Sequence, residues 1–130
     1  LKGIRSLVDA VRTAGVPRLL LVGGAGSLEV KPGVQLLDTP EFPAPWKATA
    51  EGARAALRTL RELPDVDWTV LSPPPHVHPG TRTGSYRTGL DSVIQGDRGP
   101  ADISLEDYAV AMADEAEAAK HRRQRFTVAH

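Results

Sequence analysis

"RLLLVGGAGSLEV" (residues 18–30) is an apolar run that empties into a glycine cluster. Its reading decides whether the chain carries the phosphate turn of a dinucleotide-binding fold or a different strand end. A phosphate-cradling fingerprint reads G-x-G-x-x-G between a strand and a helix. The turn must be tight, the backbone must approach the pyrophosphate, and the helix must pack closely. Gly24 and Gly26 supply the first pair, but the third position falls on Glu29, whose carboxylate repels phosphate. Val30, Pro32 and Gly33 after it do not open a helix whose N-terminus would hold an anion. No lysine is placed for a P-loop either. The stretch therefore reads as a glycine-rich turn leaving the carboxyl end of a strand, Leu19 through Val22, buried on both faces. In open α/β sheets the loops at such ends line one crevice, even when only the first of them holds the pyrophosphate.

The surrounding pattern extends this reading. Ile4, Leu7, Val8 and Val11 recur at helical spacing with Lys2, Arg5, Asp9 and Arg12 on other faces, and Gly15 and Pro17 supply a stop. Residues 29–47, with "TPEFPAPW" among them, are expected to form a long irregular loop that acts as a lid or a binding wall. A second helix presents Ala53, Ala56, Leu57 and Leu60 on one face and stops at Pro64. "DWTVLS" (67–72) reads as the next strand, and Pro73, Pro74 and Pro75 force the chain out of the sheet after it. "GSYRTG" and "SVIQG" predict short edge strands around a turn. "SLEDYAVAMADEAEAA" predicts a helix capped by Ser104, with Asp107 three residues on and a stripe of Leu105, Tyr108, Ala109, Met112, Ala113 and Ala116. Lys120, His121, Arg122 and Arg123 are expected at its end, where cations complement the helix dipole, and "RFTVA" closes as a strand. Helices alternating with buried strands predict an α/β fold on a parallel sheet, as one domain over residues 1–130.

Bulk composition excludes several classes. Sixteen basic and sixteen acidic residues leave no net charge, so neither nucleic acid nor an anionic membrane is an expected partner. There is no cysteine, hence no disulfide, thiolate metal site or thiol nucleophile, which suits a cytoplasmic location. No apolar run reaches the roughly 20 residues of a membrane helix, and no signal-peptide pattern is expected. The first residue is Leu1 and not methionine, so the chain is expected to be part of a longer product. Were it whole, the half-sheet would expose a strand edge, and homodimerisation would be the remedy.

"RLLLVGGAGSLEVKPGVQLLDTPEFP", "DWTVLSPPPHVHPGTRTGSYR", "ISLEDYAVAMADE" and "RQRFTVA" together resemble, in order and spacing, the C-terminal portion of atypical short-chain dehydrogenase/reductases. The nearest group is the NAD(P)H-binding one that includes NADH-flavin reductases and NAD-dependent epimerase-like proteins, relatives of biliverdin reductase B. The resemblance covers nearly the whole chain and implies the C-terminal part of a Rossmann-like doubly wound parallel sheet. It implies that the family's own phosphate turn, G-x-x-G-x-x-G after the first strand, lies upstream, together with the pyrophosphate and adenosine contacts and the residue that selects NADPH over NADH. It implies that Gly23, Gly24, Ala25 and Gly26 border the ribose and nicotinamide end of NADP or NAD, and that Pro73, Pro74 and Pro75 form a loop contacting the nicotinamide.

Typical members use a Y-x-x-x-K pair as acid, and neither tyrosine of this chain has a lysine four residues later. "PAPWKAT" stands where the resemblance implies a tyrosine, so tyrosine-based chemistry gives way to direct hydride passage to a flavin or similar flat acceptor, with Trp46 as a stacking surface. Ser27 and Lys47 are further candidates for substrate contact, although a serine satisfying its own loop and a solvated lysine are the simpler readings; the resemblance implies that Tyr86 and Arg82 lie in the family's substrate loop, and an edge-strand surface fits them equally. The competing reading of the whole is a non-catalytic NAD(P)H-binding sensor. His76 and His78 share a face if extended, but no third ligand lies beside them, and no metal is expected.

Overall fold

The structure is a computed structural model describing residues 2–130. Leu1, and the side chain of Lys2 expected on the outer face of the first helix, lie outside the described residues. Three helices and ten short strands follow in order: α1 (Lys2–Ala14), β1 (Leu19–Val22), β2 (Glu29–Lys31), β3 (Val34–Gln35), α2 (Lys47–Arg61), β4 (Trp68–Ser72), β5 (Val77–His78), β6 (Arg87–Gly89), β7 (Gln95–Gly96), β8 (Gly99–Pro100), β9 (Ile103–Ser104), α3 (Leu105–Ala118) and β10 (Gln124–Ala129).

The main sheet runs β1-β4-β10-β6. β4 pairs in parallel with β1 (Leu19 opposite Trp68) and with β10 (Gln124 opposite Thr69), while β6 closes the far edge antiparallel to β10. The two-residue period of β4 sends Trp68 and Val70 to one face and Leu71 to the other. On the first face Ile4 and Val8 of α1 and Leu57 and Leu60 of α2 bury against Trp68 and Val70. On the second, Tyr108 and Ala111 of α3 cover Leu71, Phe126 and Val128. Helices on both faces of a parallel sheet make this a mixed α/β, Rossmann-like fold. Among the described residues, no helix is long and apolar enough to cross a membrane.

Local chemistry explains where the elements stop. α1 ends in a Schellman turn: Gly15, at φ +68°, donates to Arg12 and Val16 donates to Val11, the arrangement that satisfies the last carbonyls and favours glycine. α3 starts at Ser104, whose hydroxyl accepts from the Asp107 amide at 3.1 Å.

Several expectations need correction. β1 is not buried on both faces: Val22 is 66% exposed, because no strand among the described residues pairs beyond β1. Leu7 is likewise exposed, narrowing the buried stripe of α1 to Ile4 and Val8. The 29–47 segment is not wholly irregular. β2 and β3 form a hairpin around Pro32 and Gly33, where Gly33 takes φ +80° as the second central residue of the turn. Residues 95–96 pair with β8 and not with β6, so "GSYRTG" and "SVIQG" are separate edges.

The buried face of α3 is also rotated from the apolar stripe. Leu105, Ala109, Ala113 and Ala116 are exposed, and Asp107 and Glu115 are buried. The cause is polar. Asp107 accepts from the Thr83 hydroxyl (2.7 Å), the Thr83 and Gly84 amides (2.9 and 2.8 Å) and the His130 ring (2.7 Å), pinning the 83–84 loop and the end of β10. Glu115 accepts from Arg18 (2.5 Å) and from the His121 amide and ring. The basic cluster lies past the helix, not in its last turn. His121 stacks on Phe126, and Arg122 and Arg123 bond to Asp67 and the Pro64 carbonyl.

Two predictions follow from packing and charge. Gly52 sits inside α2 with open space where a Cβ would go, so Gly52→Ala should stabilise by roughly 0.5–1 kcal/mol, while Leu60→Ala, at a fully buried site, should cost about 2–5 kcal/mol. Urea midpoints with unchanged slopes would measure both. The Thr83 hydroxyl bond, with the Thr83 and Gly84 amides and His130, holds the Asp107 carboxyl well below the usual range. Its stabilisation is complete above the unfolded value of about 4 and is lost as pH falls below it. Asp107→Asn should therefore destabilise at neutral pH and flatten the loss of midpoint on acidification.

Candidate functional site

The carboxyl ends of β1 and β4 lie side by side, Val22 opposite Leu71, so the chain leaves both strands at one edge of the sheet. Gly23 prolongs the ladder by donating to the Leu71 carbonyl at 2.9 Å. It has to be glycine, because a Cβ there would collide with Val70 Cγ1 and lie 3.0 Å from Ser72 Oγ. A Cβ on Gly24 would press on Ala53 at 3.2 Å, and one on Gly26 on Ala50 and Leu37 at 3.1 and 3.2 Å. The loop thus sits directly on α2, glycine against alanine. A cavity of about 60 Å³ beneath it, bordered by Gly23, Gly24, Ser27, Ala53, Val70 and Ser72, is too small for a ligand, which needs several hundred Å³.

The backbone of this loop has unused hydrogen-bonding capacity. Among the described residues, the amides of Gly24, Ala25, Gly26 and Ser27 donate to no protein acceptor, and the carbonyls of Pro73, Pro74 and Pro75 accept from no protein donor. Free donors on one loop and free acceptors on its neighbour suit a planar carboxamide, which needs both. Phosphate would need only donors.

The other sequence candidates are distributed unevenly. Trp46, 64% exposed, and Lys47, also exposed, lie one helical turn before Ala50, on the side of α2 that meets Gly26. Ser27 is 8% exposed and its hydroxyl accepts from Arg125 at 2.8 Å. Tyr86 is elsewhere. Its hydroxyl donates to Asp114 at 2.6 Å, and burial followed by that carboxylate pushes its pKa up to about 12. It lines a cavity of about 590 Å³ with Glu115, His121 and Phe126, and no residue of the 23–27 loop borders that cavity. Arg82 and His76 are exposed, and the His78 ring bonds to Asp102 at 2.5 Å and to the Pro79 carbonyl. Among the described residues, no group of three or more His, Cys, Asp or Glu is placed to hold a metal ion.

Sequence reading missed Arg125. It lies on β10, 3% exposed, and donates to the Ser27 hydroxyl and carbonyl, to Ser72 Oγ at 3.3 Å and to Asp91 at 3.0 Å. The available signal was an arginine inside an otherwise apolar closing strand.

The profile of an NAD(P)H-binding family matches residues 1–122. The chain belongs to that NAD(P)H-binding family. The uncharacterized protein YwnB of Bacillus subtilis is 44% identical over 127 residues, 95% of this chain and 60% of YwnB. A structure from Burkholderia pseudomallei, described as a candidate exported protein, is 47% identical with a TM-score of 0.92, over 98% of this chain and 62% of that one. A Streptococcus pneumoniae structure, described as a candidate NADH-flavin reductase, is 34% identical with a TM-score of 0.80, over 87% and 55%. The chain thus spans about 60% of the length of these relatives.

Gly23→Ala should be the damaging substitution of this loop. It should cost about 1–3 kcal/mol from forced repacking at Val70 and weaken NAD(P)H binding, whereas Gly33→Ala, at positive φ in the β2–β3 turn, should cost stability alone. Urea midpoints alongside cofactor titration would separate the two effects.

Proposed function

We propose that this protein is an NAD(P)H-dependent reductase that passes hydride to a flavin or a similarly flat acceptor, with this chain forming the nicotinamide-side wall of the site. The observation that carries the reading is the pair of loops at the ends of β1 and β4, one with free amides and the other with free carbonyls. In the same proposal, further strands pair with the open edge of β1 and bring the pyrophosphate and adenosine contacts. The exposure of Val22, the span relative to the family members and the lack of a phosphate turn among these residues support that placement.

A reduced nicotinamide supplies a hydride when bound, and the acceptor completes its reduction with a proton from solvent. The residues here bind and orient. The 24–27 amides would donate to the carboxamide oxygen and the 73–75 carbonyls would accept from its nitrogen, orienting the group. Trp46, projecting beside the loop from the start of α2, offers a flat apolar surface for an aromatic acceptor, and Lys47 offers a charge for an acceptor's anionic group. No side-chain acid is needed for such a transfer, which agrees with the absence of a Y-x-x-x-K pair. The name of the Streptococcus pneumoniae relative points the same way. A reducing cytoplasm, where reduced nicotinamide is regenerated, is the setting that suits this activity.

A second reading, a non-catalytic NAD(P)H sensor, is favoured by one observation. Both tyrosine hydroxyls already donate to protein acceptors, Tyr86 to Asp114 and Tyr108 to the Leu71 carbonyl at 2.5 Å. One experiment tests both readings. NADPH and NADH are titrated into the full-length protein with Trp46 and Trp68 fluorescence as the signal, and cofactor oxidation is then followed with free flavin. The reductase reading expects saturable binding and turnover, with Trp46→Ala raising the acceptor KM roughly 2- to 10-fold while cofactor affinity holds. Binding without turnover leaves the sensor. No binding overturns both.

A further inference from the structure

We propose that Arg125 is a positioning residue for hydride transfer, its guanidinium fixing the 23–27 loop against the end of β4 and so setting the wall on which the nicotinamide rests. This rests on the reductase reading above. The geometry is that of a clamp. Arg125 stands on β10, opposite Val70, and shares its face of the sheet with Ser72. From there one buried side chain reaches three separate segments. It donates to the Ser27 hydroxyl (2.8 Å) and carbonyl (3.1 Å) on the loop after β1. It donates to Ser72 Oγ (3.3 Å), immediately before the prolines, and to Asp91 Oδ1 (3.0 and 3.1 Å) on the segment after β6.

These contacts do not account for themselves as stabilisation. An arginine at 3% exposure has given up its hydration, and buried ion pairs are often matched or exceeded in stability by apolar residues of similar volume. Burial also depresses the basicity of the group, against the pull of Asp91. The flanking segments hold together without it. Glu29 donates to the Asp91 carbonyl at 2.8 Å and Val93 donates to the Glu29 carbonyl at 2.9 Å, so the 91–93 segment is joined to β2 by backbone bonds alone. The loop's backbone is tied through the Gly23 amide and through the Ala25 and Gly26 carbonyls, which accept from Leu28 and Leu37, but no backbone bond fixes Ser27 against the end of β4. The Ser27 hydroxyl and carbonyl held by Arg125 supply that constraint. Because the Ser72 contact comes from the same guanidinium, the spacing between loop and prolines is set by one rigid fork.

The test uses the full-length protein and compares Arg125→Met, Arg125→Lys and Ser27→Ala. Arg125→Met keeps the length of the side chain and removes every donor. It should retain the wild-type Tm within a few degrees and NAD(P)H affinity within about twofold, and lower kcat about 10- to 100-fold, the scale on which misplacement by about 1 Å acts. Hydrogen exchange should quicken at the amides of Leu28 and Leu37, which bond to the loop's Ala25 and Gly26 carbonyls, and not in β4 or β10. Arg125→Lys, a charge without the fork, should recover only part of kcat. If Arg125→Met does not fold, Ser27→Ala removes one of the two bonds between the clamp and the loop and should quicken the same amides to a smaller degree. Wild-type kcat and unchanged exchange in whichever variant folds would overturn the proposal while leaving the reductase reading intact. No cofactor oxidation by the unsubstituted protein would overturn the reductase reading, and this inference with it.

Discussion

The end of β1 passes β4 with no room for a side chain between them. Gly23 bonds to the Leu71 carbonyl while its α-carbon faces Val70 and Ser72 at a separation that a Cβ would violate. Everything at the carboxyl edge depends on that approach. Once Gly23 is seated, Gly24 and Gly26 are carried onto Ala53 and Ala50 of α2, and the 24–27 amides are left with no partner of their own. The glycines are thus required by contacts inside the protein, and their consequence is a strip of unpaired backbone donors. A glycine cluster selected to let a phosphate approach would show the reverse, with the missing side chains on the ligand side.

Polar hubs do what apolar packing does not. Asp107, Glu115 and Arg125 are all buried, and each gathers groups from segments far apart in sequence. Asp107 joins the start of α3 to the 83–84 loop and to His130; Glu115 joins the end of α3 to Arg18 and His121; Arg125 joins β10 to Ser27, Ser72 and Asp91. Burial alone would raise the Glu115 carboxyl, but its bonds from His121 and Arg18 bring it below the usual value, so it is held as an anion. Apolar contacts specify that two surfaces meet, whereas a buried ion with several fixed partners specifies where. All three hubs tether irregular segments to regular ones, which are the joints a hydrophobic core controls least.

Much of the fold was legible because its signals are local. The periodicity of Leu57 and Leu60, the β-rich run ending in Ser72, the Gly15 stop and the Ser104 cap each act within a few residues, and each is found where the pattern placed it. The misses have one physical source. The apolar stripe of α3 was read as its buried face, yet Leu105 and Ala109 are exposed, because Asp107 and Glu115 take the inner face to meet partners that only the tertiary structure brings near. β1 was read as buried on both faces from four apolar residues, a pattern that reports the environment a strand is suited to and says nothing of how many neighbours the described sheet supplies.

The candidate site was legible in outline for the same reason and illegible in its joints. Two loops at successive strand ends followed from the order of helix and strand, and the structure sets them side by side. Tyr86 was grouped with them by resemblance alone, and the antiparallel run of β6 carries it to Asp114 instead. Arg125 could not be assigned from sequence, since an arginine in "RQRFTVA" is equally a solvated edge or a buried donor. What separates these is pairing. β10 lies between β4 and β6, and Arg125 shares the face of Val70, where its guanidinium is buried against Ser27 and Ser72. Its hydrogen bonds are therefore found on groups that only the folded chain brings near, Ser27, Ser72 and Asp91.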